Sequence, residues 1–318
     1  MPVGWIVRSP QLRRMVAGSL LLALGVGACG LGVPPPLPKG PPGNTATTVR
    51  SGLVQSQITS GGMARPYLVY VPPGIRRDNP APLVVVLSGG GDTDRNMVQI
   101  TQFDPVADAH GFLVAYPEGF RESWNGGFCC AGALQHHIND LAFIRQLIVH
   151  LEATYPLNSA RVYVTGASNG AIMAYWFACH EAAMVAGVGS VAGAMPAAGC
   201  HPSRPVPVLE IHGTADPSVP FNGGKVEPPG AAATNLAPAA ISTMRRWASL
   251  DGCPTKPAVR RVGVVSTSTW APCHSGSEVK LVAVTGAGHV WFAPGFGPVN
   301  GAVDATGLIW KFFASHPG

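Results

Sequence analysis

The stretch that decides the fold runs from Arg161 to Gly170 and has the sequence RVYVTGASNG. Val162 to Thr165 is rich in the β-branched residues that favour strands. The next five residues match G-x-S-x-G, and the apolar run from Ala171 to His180 predicts a helix directly after them. A serine held on a tight turn between a strand and a helix is a nucleophile elbow, so the stretch predicts Ser168 as a nucleophile.

Strands and helices alternate on both sides of this turn. The predicted strands are Arg65–Pro72, Pro82–Ser88, Phe112–Tyr116, Arg161–Gly166, Val206–His212 and Val279–Thr285. The predicted helices are Asn139–Tyr155, Ala171–His180, Pro238–Leu250 and Asp304–Ala314. Val84–Leu87 is continuously apolar, as a strand buried on both faces requires. The alternation predicts the α/β class, with a mostly parallel central sheet covered by helices on both faces, and the elbow specifies the α/β-hydrolase fold.

A serine hydroxyl needs a base to remove its proton, and on this fold the order along the chain is serine, acid, histidine. Asp216 follows the predicted strand that ends at His212, and His289 follows the last predicted strand. Both positions leave the carboxyl ends of strands, where open α/β sheets place their sites. The sequence therefore predicts a catalytic triad of Ser168, Asp216 and His289.

Other acids and histidines fit these two roles less well. His274 and His316 do not follow a strand directly, and His136–His137 lies upstream of the serine. Glu210 is in the middle of a predicted strand, and Asp251 follows a helix. Asp304 is better explained as a helix cap.

The tetrahedral intermediate of an ester carries an oxyanion that two backbone N–H groups should stabilise. One donor is expected from Asn169, the residue after the nucleophile. The other is expected from the loop Ser88–Gly91 after the second predicted strand, where glycines let a backbone approach a substrate closely. The candidates in that loop are Gly90 and Gly91.

Composition excludes several classes of function. The 318 residues are 47% hydrophobic and 12% charged, which is ample for one large core and unlike a disordered chain. The net charge of +5 is scattered rather than gathered on a basic face, so nucleic acid is not an expected partner. No C-x-x-C pair occurs, and no metal site is predicted.

The N-terminal segment predicts export. Three arginines between positions 8 and 14 precede a short apolar run from Met15 to Ala28, the pattern of a signal peptide. The run ends Val26-Gly27-Ala28-Cys29, which resembles a bacterial lipobox, and a proline-rich tract follows. The alternative is an ordinary signal peptide with a chance cysteine. The preferred division is a signal peptide over 1–28, a lipidated tether over 29–47 and a catalytic domain over 48–318, attached to the outer face of the cytoplasmic membrane or secreted.

Cysteine usage agrees with export. Of seven cysteines, lipidation would use Cys29, and the remaining six allow three disulfides in 15 connectivities. Pairs near in sequence are easiest to bring together, which favours Cys179–Cys200 and Cys253–Cys273. Cys129–Cys130 would then form a vicinal bond.

Together these segments resemble the polyhydroxybutyrate depolymerase and feruloyl esterase family of secreted α/β-hydrolases, which includes lipoproteins. The resemblance runs from about Arg65 to the C-terminus. The matching segments are Tyr116–Gly119, Trp124-Asn125, Asn139-Asp140 with Phe143-Ile144, Gly166–Ala174, Ile211–Asp216 and Gly288–Trp291. The sequence departs from the family with Ser88-Gly89 for the usual His-Gly, Asn139-Asp140 for paired aspartates, and Phe292 for the proline of His-x-Trp-Pro.

The resemblance implies the same triad, hydrolysis of short-chain polyester or feruloyl-type esters through an acyl-enzyme, and no metal or organic cofactor. It makes Trp124, Asn125 and Trp291 candidate substrate contacts. The expected partner is a small or polymeric ester. Two alternatives stay open: an acyltransferase that uses the same triad, and an inactive surface protein that keeps the fold and only binds.

Overall fold

The computed structural model describes residues 48–196, 198–226, 236–295 and 297–318. The strands are β1 Gly52–Ser60, β2 Met63–Val71, β3 Ala81–Leu87, β4 Leu113–Pro117, β5 Leu157–Ala167, β6 Gly187–Val191, β7 Val208–Gly213, β8 Gly224–Lys225, β9 Leu236–Ala237, β10 Ala258–Val262, β11 Val265–Trp270 and β12 Val279–Val284. The helices are α1 Asp94–Thr101, α2 Phe103–His110, α3 Ala131–Gln135, α4 Asp140–Thr154, α5 Asn169–His180, α6 Ala240–Leu250, α7 Gly297–Asn300 and α8 Ala305–Ala314. The predicted signal peptide and tether lie outside the described residues.

The main sheet has ten strands in the order β1-β2-β4-β3-β5-β6-β7-β12-β11-β10. The six strands from β4 to β12 in this order run parallel to one another. Antiparallel strands extend both edges, β2 and β1 on one side and β11 and β10 on the other. The prediction of a mostly parallel central sheet is confirmed.

Helices cover both faces of the sheet because its central strands are apolar on both sides. Every residue of β3 is buried. Alternate β3 residues, such as Leu83 and Val85, belong to one core cluster with residues of α4, α5 and α6. On the opposite face, Ile309 of α8 lies against Gly189 of β6. The six strands therefore form a rigid platform whose carboxyl edge can carry a site.

Helices α4 and α8 both begin at a side-chain cap, and the cap expected at Asp304 is confirmed. The side chain of Asn139 accepts the Ala142 N–H at 3.0 Å at the start of α4. The side chain of Asp304 accepts the Gly307 N–H at 3.0 Å at the start of α8. Strands β1, β6 and β8 to β11 and helices α1 to α3 and α7 were not predicted. Among the described residues, no helix has both the length and the apolar character needed to cross a bilayer.

Candidate active site

Ser168 occupies the turn between β5 and α5 in a strained conformation. Its φ is 53° and its ψ is −116°, a region that side-chain-bearing residues rarely adopt. The two flanking glycines make the turn possible. A Cβ on Gly166 would lie 2.6 Å from the Gly170 carbonyl carbon, and one on Gly170 would overlap the carbonyl oxygen of Leu87. The G-x-S-x-G pattern therefore reflects close packing of the turn against the end of β3, as a nucleophile elbow requires.

Asp216 and His289 are joined by a hydrogen bond. The Nδ1 of His289 lies 2.7 Å from the Oδ2 of Asp216. The Asp216 side chain is fully buried, and that of His289 is 16% exposed. A carboxylate only accepts, so Nδ1 carries the proton, and in the neutral ring Nε2 is then the basic nitrogen.

The loops that carry these two residues are fastened to each other. Ala215 donates its N–H to the Ala287 carbonyl at 2.9 Å, and Gly286 donates to the Thr214 hydroxyl at 3.0 Å. A Cβ on Gly213 would overlap the carbonyl oxygen of Ala287, so this glycine allows the close approach. The hydrogen bonds between these two loops thus hold Asp216 and His289 in contact.

All three predicted residues lie at one edge of the sheet. Ser168 follows β5, Asp216 follows β7 and His289 follows β12, and these strands are parallel neighbours apart from the intervening β6. Two strand spacings, about 10 Å, separate the ends of β5 and β7. The edge therefore holds a strained serine and a carboxylate-bound imidazole, a set able to support nucleophilic attack on a carbonyl carbon.

The Asp216 carboxylate is held in its ionised form. Its Oδ1 accepts the N–H groups of Ser218 at 2.8 Å and Val219 at 2.9 Å. Burial alone would raise the pKa of this carboxyl, but hydrogen bonds and charges from His212 and His289 outweigh burial and hold it well below its usual range. An ionised Asp216 can orient His289 and stabilise an imidazolium that forms during reaction.

Sequence reasoning missed His212, a residue of β7 that contacts Asp216. Its Nε2 lies 3.3 Å from the Asp216 Oδ2, and its Nδ1 lies 2.8 Å from the Glu210 Oε1. The available signal was the pair Glu210 and His212 at positions i and i+2, which face the same side of a strand that is otherwise apolar.

The two expected oxyanion donors have different surroundings in the structure. Asn169 is the first residue of α5, where a backbone N–H has no partner within the helix. Gly90 lies beside it, with its Cβ position 3.7 Å from the Asn169 Cβ. The assignment of Gly91 is corrected, because its N–H donates to the Glu122 carbonyl at 2.8 Å and is not available to an oxyanion. Gly90 is thus the remaining candidate in this loop.

The expected substrate contacts are engaged within the protein. Trp124 is fully buried, and its indole N–H donates to the Ser88 carbonyl at 3.1 Å. Trp291 is 2% exposed and donates to the Thr306 hydroxyl at 3.1 Å. The Asn125 amide donates to Ile138 O and accepts from Gly127 N. Trp124 and Trp291 therefore support the loops around the site and present almost no surface to a substrate, which corrects their expected role. Asn125 is partly exposed, and its expected contact with substrate stays a prediction.

The structure contains the disulfides Cys129–Cys130, Cys179–Cys200 and Cys253–Cys273. The vicinal pair is buried in an apolar cluster with Ile172, one helical turn after Ser168, and Val219, three residues after Asp216. The pair therefore packs in one cluster with residues that follow the serine and the acid. Three disulfides are typical of an exported protein.

The family of the chain follows from comparison with known proteins. The family model described as Esterase PHB depolymerase matches residues 65–217, a segment that contains Ser168 and Asp216 and ends before His289. A candidate esterase named NocK, from Nocardia uniformis subsp. tsuyamanensis, is 30% identical over 271 residues, 80% of this chain and 77% of NocK. The chain belongs to the PHB depolymerase esterase family. It is therefore a carboxylic-ester hydrolase.

Other relatives of this esterase are named feruloyl esterases. Feruloyl esterase C of Emericella nidulans is 28% identical over 262 residues, 78% of this chain and 83% of the relative. Feruloyl esterase B of Piromyces equi is 27% identical over 71% of this chain, which spans only 42% of that protein. The solved acetyl xylan esterase from Aspergillus awamori superposes with a TM-score of 0.59 at 16% identity, covering 82% of this chain and 99% of its own. This structural likeness supports the α/β-hydrolase fold.

Proposed function

We propose that the esterase hydrolyses its ester through a covalent acyl-enzyme formed on Ser168. His289 removes the proton from the serine hydroxyl and later passes it to the leaving alcohol. Asp216 fixes the ring so that Nε2 faces the reaction. The 2.7 Å hydrogen bond between Asp216 and His289, at the sheet edge that also carries the strained Ser168, is the observation that carries this proposal.

In this proposal the N–H groups of Asn169 and Gly90 bind the oxyanion. The first turn of α5 also favours negative charge at its N-terminus, which helps to stabilise the tetrahedral intermediate. A water molecule then attacks the acyl carbon, with His289 again acting as base, and the acid is released while Ser168 regains its proton. In each step the protein contributes the side chains of Ser168, Asp216 and His289 and the two backbone N–H groups.

The proposed substrates are short-chain polyester or feruloyl-type esters. The relatives named feruloyl esterase support the second class, and the family described for PHB depolymerase supports the first. A panel of acetyl, butyryl, hydroxybutyrate-oligomer and feruloyl esters tests the assignment. Preference for a hydroxybutyrate oligomer or a feruloyl ester supports it, and preference for acetyl esters contradicts it.

The mechanism is tested by labelling with a fluorophosphonate, which reacts with activated serines. We expect the wild-type protein to be labelled at Ser168 and Ser168→Ala to be unlabelled, with turnover reduced by roughly a million-fold. Ser56→Ala, an exposed serine on β1, is the matched control and should keep both signals. A wild-type protein that is not labelled would be an inactive binding protein, and one that transfers its acyl group to an added alcohol in preference to water would be an acyltransferase.

We also propose that the mature protein is held at the membrane by a lipid on Cys29. The apolar run with arginines before it, the small residues at Gly27 and Ala28, and the proline-rich tract after Cys29 support this location. The disulfides support a position outside the cytoplasm. The tether would keep Ser168 clear of the headgroups and open to polymeric esters.

A further inference from the structure

The imidazole of His212 is buried against the acid of the proposed triad. Its side chain is 1% exposed, and its Nε2 lies 3.3 Å from the Oδ2 of Asp216. The Nδ1 of His289 contacts that same oxygen at 2.7 Å. One carboxylate oxygen thus lies between two imidazoles, and the two ring nitrogens that contact it are no more than about 6 Å apart.

Both ring nitrogens of His212 face oxygen atoms that accept hydrogen bonds. Nδ1 lies 2.8 Å from the Glu210 Oε1, and Nε2 lies 2.8 Å from the Val219 carbonyl oxygen. A neutral imidazole has one N–H, so its other nitrogen would set a lone pair against an acceptor. The surroundings therefore match the imidazolium form, in which both nitrogens donate.

Hydrogen bonds made by Glu210 and Val219 link the His212 ring to the proposed active site. Glu210 accepts the Tyr175 hydroxyl at 3.0 Å and the Gly193 N–H at 3.2 Å, which fixes its carboxylate inside the core. Val219 donates its own N–H to the Asp216 Oδ1 at 2.9 Å while its carbonyl accepts from His212. His212 therefore ties the turn that holds Asp216 to strand β7.

We propose that His212 is a positioning residue for the reaction at Ser168, which holds Asp216 in place and lends the site a fixed positive charge. The assignment rests on the proposed triad. A cation this close to His289 disfavours a second charge on the catalytic imidazole. It therefore opposes the uptake of a further proton by the site, so that the esterase stays active at lower pH than a site without this charge.

The titratable groups around His212 favour this charged form. Glu210 faces it from its own strand and Asp216 from the following turn, with Tyr175 of α5 behind Glu210 and His289 beyond Asp216. Burial alone would lower the pKa of His212, but the hydrogen bonds and negative charges of the two carboxylates outweigh burial and raise it to about 10. The contacts and charges around His212 therefore favour its protonated form.

The decisive variant is His212→Gln, whose amide can still donate to Val219 O and Asp216 but carries no charge. We expect the acidic limb of kcat/KM against pH to move up by about one unit or more, because the site loses a positive charge that opposes the uptake of a proton. An unmoved limb, whatever the change in maximal rate, would overturn the proposal.

The matched control is Asp251→Asn, which changes a fully buried ionisable residue that contacts Val206 and Ser277 instead of the site. It should leave the limb in place. Failure of the triad itself is recognised separately, because Ser168→Ala would then keep its labelling and turnover. If His212→Gln does not fold, ¹⁵N spectra of histidine-labelled wild-type protein decide: both His212 ring nitrogens should carry protons from pH 5 to 8, and a neutral ring in that range contradicts the proposal.

Discussion

The side chain of Asn169 and the backbone of Trp124 exchange two hydrogen bonds. The Asn169 amide donates to the Trp124 carbonyl at 2.9 Å, and the Trp124 N–H donates to the Asn169 Oδ1 at 2.7 Å. Asn169 is also the expected oxyanion donor through its backbone. The pair therefore holds the N-terminus of α5 against the buried Trp124. The position of the expected oxyanion donor depends on the side-chain amide of Asn169, a role that the sequence did not indicate.

This pairing predicts the effect of Asn169→Asp. The new carboxylate would face the Trp124 carbonyl with an acceptor in place of a donor, and the first turn of α5 would shift. Because a displacement of about 1 Å at a reacting centre can cost on the order of a hundred-fold in rate, we expect kcat to fall by about that factor with little change in KM.

Steady-state kinetics on a p-nitrophenyl ester measures the effect of Asn169→Asp. Asn158→Asp is its matched control, since Asn158 makes a local contact with Ala160 near the start of β5 and undergoes the same change of charge. Equal rates in the two variants would show that the pair does not position the donor.

Asp216→Asn should nearly abolish turnover. The Oδ1 of residue 216 accepts two backbone N–H groups, so the amide oxygen keeps that place and the NH₂ group takes the position facing His289. His289 would then need its other tautomer, with the proton on Nε2, and could not act as base. The expected loss in kcat is about 10⁴-fold. The exposed Asp78→Asn should be unaffected, and a variant at position 216 within ten-fold of wild type would assign the acid elsewhere.

The disulfides should differ in their effect on stability. Cys179–Cys200 closes a loop with a sequence separation of 21, and such a loop contributes roughly 3 kcal/mol to the free energy of unfolding by restricting the unfolded chain. Cys129–Cys130 joins neighbours and restricts almost nothing in the unfolded chain. Replacing both cysteines by alanine removes two buried sulfur atoms in either case, so the difference isolates loop closure.

Urea denaturation of the two double variants tests this contrast. We expect the variant without Cys179–Cys200 to lose about 3 kcal/mol more than the variant without the vicinal pair. Equal losses would mean that packing of the sulfur atoms dominates both.

Most strands of the parallel part of the sheet could be predicted from the sequence. Runs rich in strand-forming residues predicted β2, β3, β4, β5, β7 and β12, with ends correct to within two residues except at β5, which begins four residues before its predicted start. Val84–Leu87 of β3 was recognised as continuously apolar, as a strand buried on both faces requires. β6 was missed since its sequence, GVGSV, is rich in glycine, yet Gly189 is required there by the close approach of Ile309. β1 was missed because most of its side chains are exposed and it shows no buried face.

Some residues of the candidate site could likewise be predicted from the sequence, and others could not. Ser168, Asp216 and His289 were nominated by their positions after strands, a rule that depends only on local order along the chain. The surroundings of Asp216 could not be predicted. His212 contacts the turn that carries Asp216, at the Val219 carbonyl, and the sequence does not show how this turn folds. Trp124 and Trp291 were misjudged because aromatic residues in a matched segment serve packing as well as binding, and only burial separates these roles.

Asp251 gives a prediction for stability against pH. It accepts the Val206 N–H and the Ser277 hydroxyl, and burial outweighs these contacts and raises its pKa to about 6. A raised carboxyl pKa means that the folded state holds the proton more tightly than the unfolded state. The stability contribution is therefore full below the ordinary pKa near 4 and is lost as pH rises to about 6, by up to about 3 kcal/mol.

The variant Asp251→Asn has no such proton and should lack this term. Between about pH 4 and pH 6 we expect the free energy of unfolding of wild type to fall relative to that of the variant. Above that range the difference between the two proteins should stay constant. Urea denaturation of both proteins from pH 4 to 8 gives the comparison. Parallel curves would show that Asp251 is ionised in the folded state as readily as in the unfolded state.

The last prediction concerns Cys29. An acyl chain contributes about 0.8 kcal/mol per buried CH₂, and stable anchoring takes two chains or more, which a diacylglyceryl cysteine supplies. Cys29→Ala should therefore move the protein from the detergent-soluble membrane fraction to the medium, or leave it as an uncleaved precursor. Any released domain should keep the wild-type esterase rate, because the residues of the proposed site begin far beyond the tether, at Gly90. Cys253→Ala, which removes a cysteine of the folded domain, is the control and should stay with the membrane. If Cys29→Ala remained in the membrane in fully processed form, the anchor would be a different part of the chain.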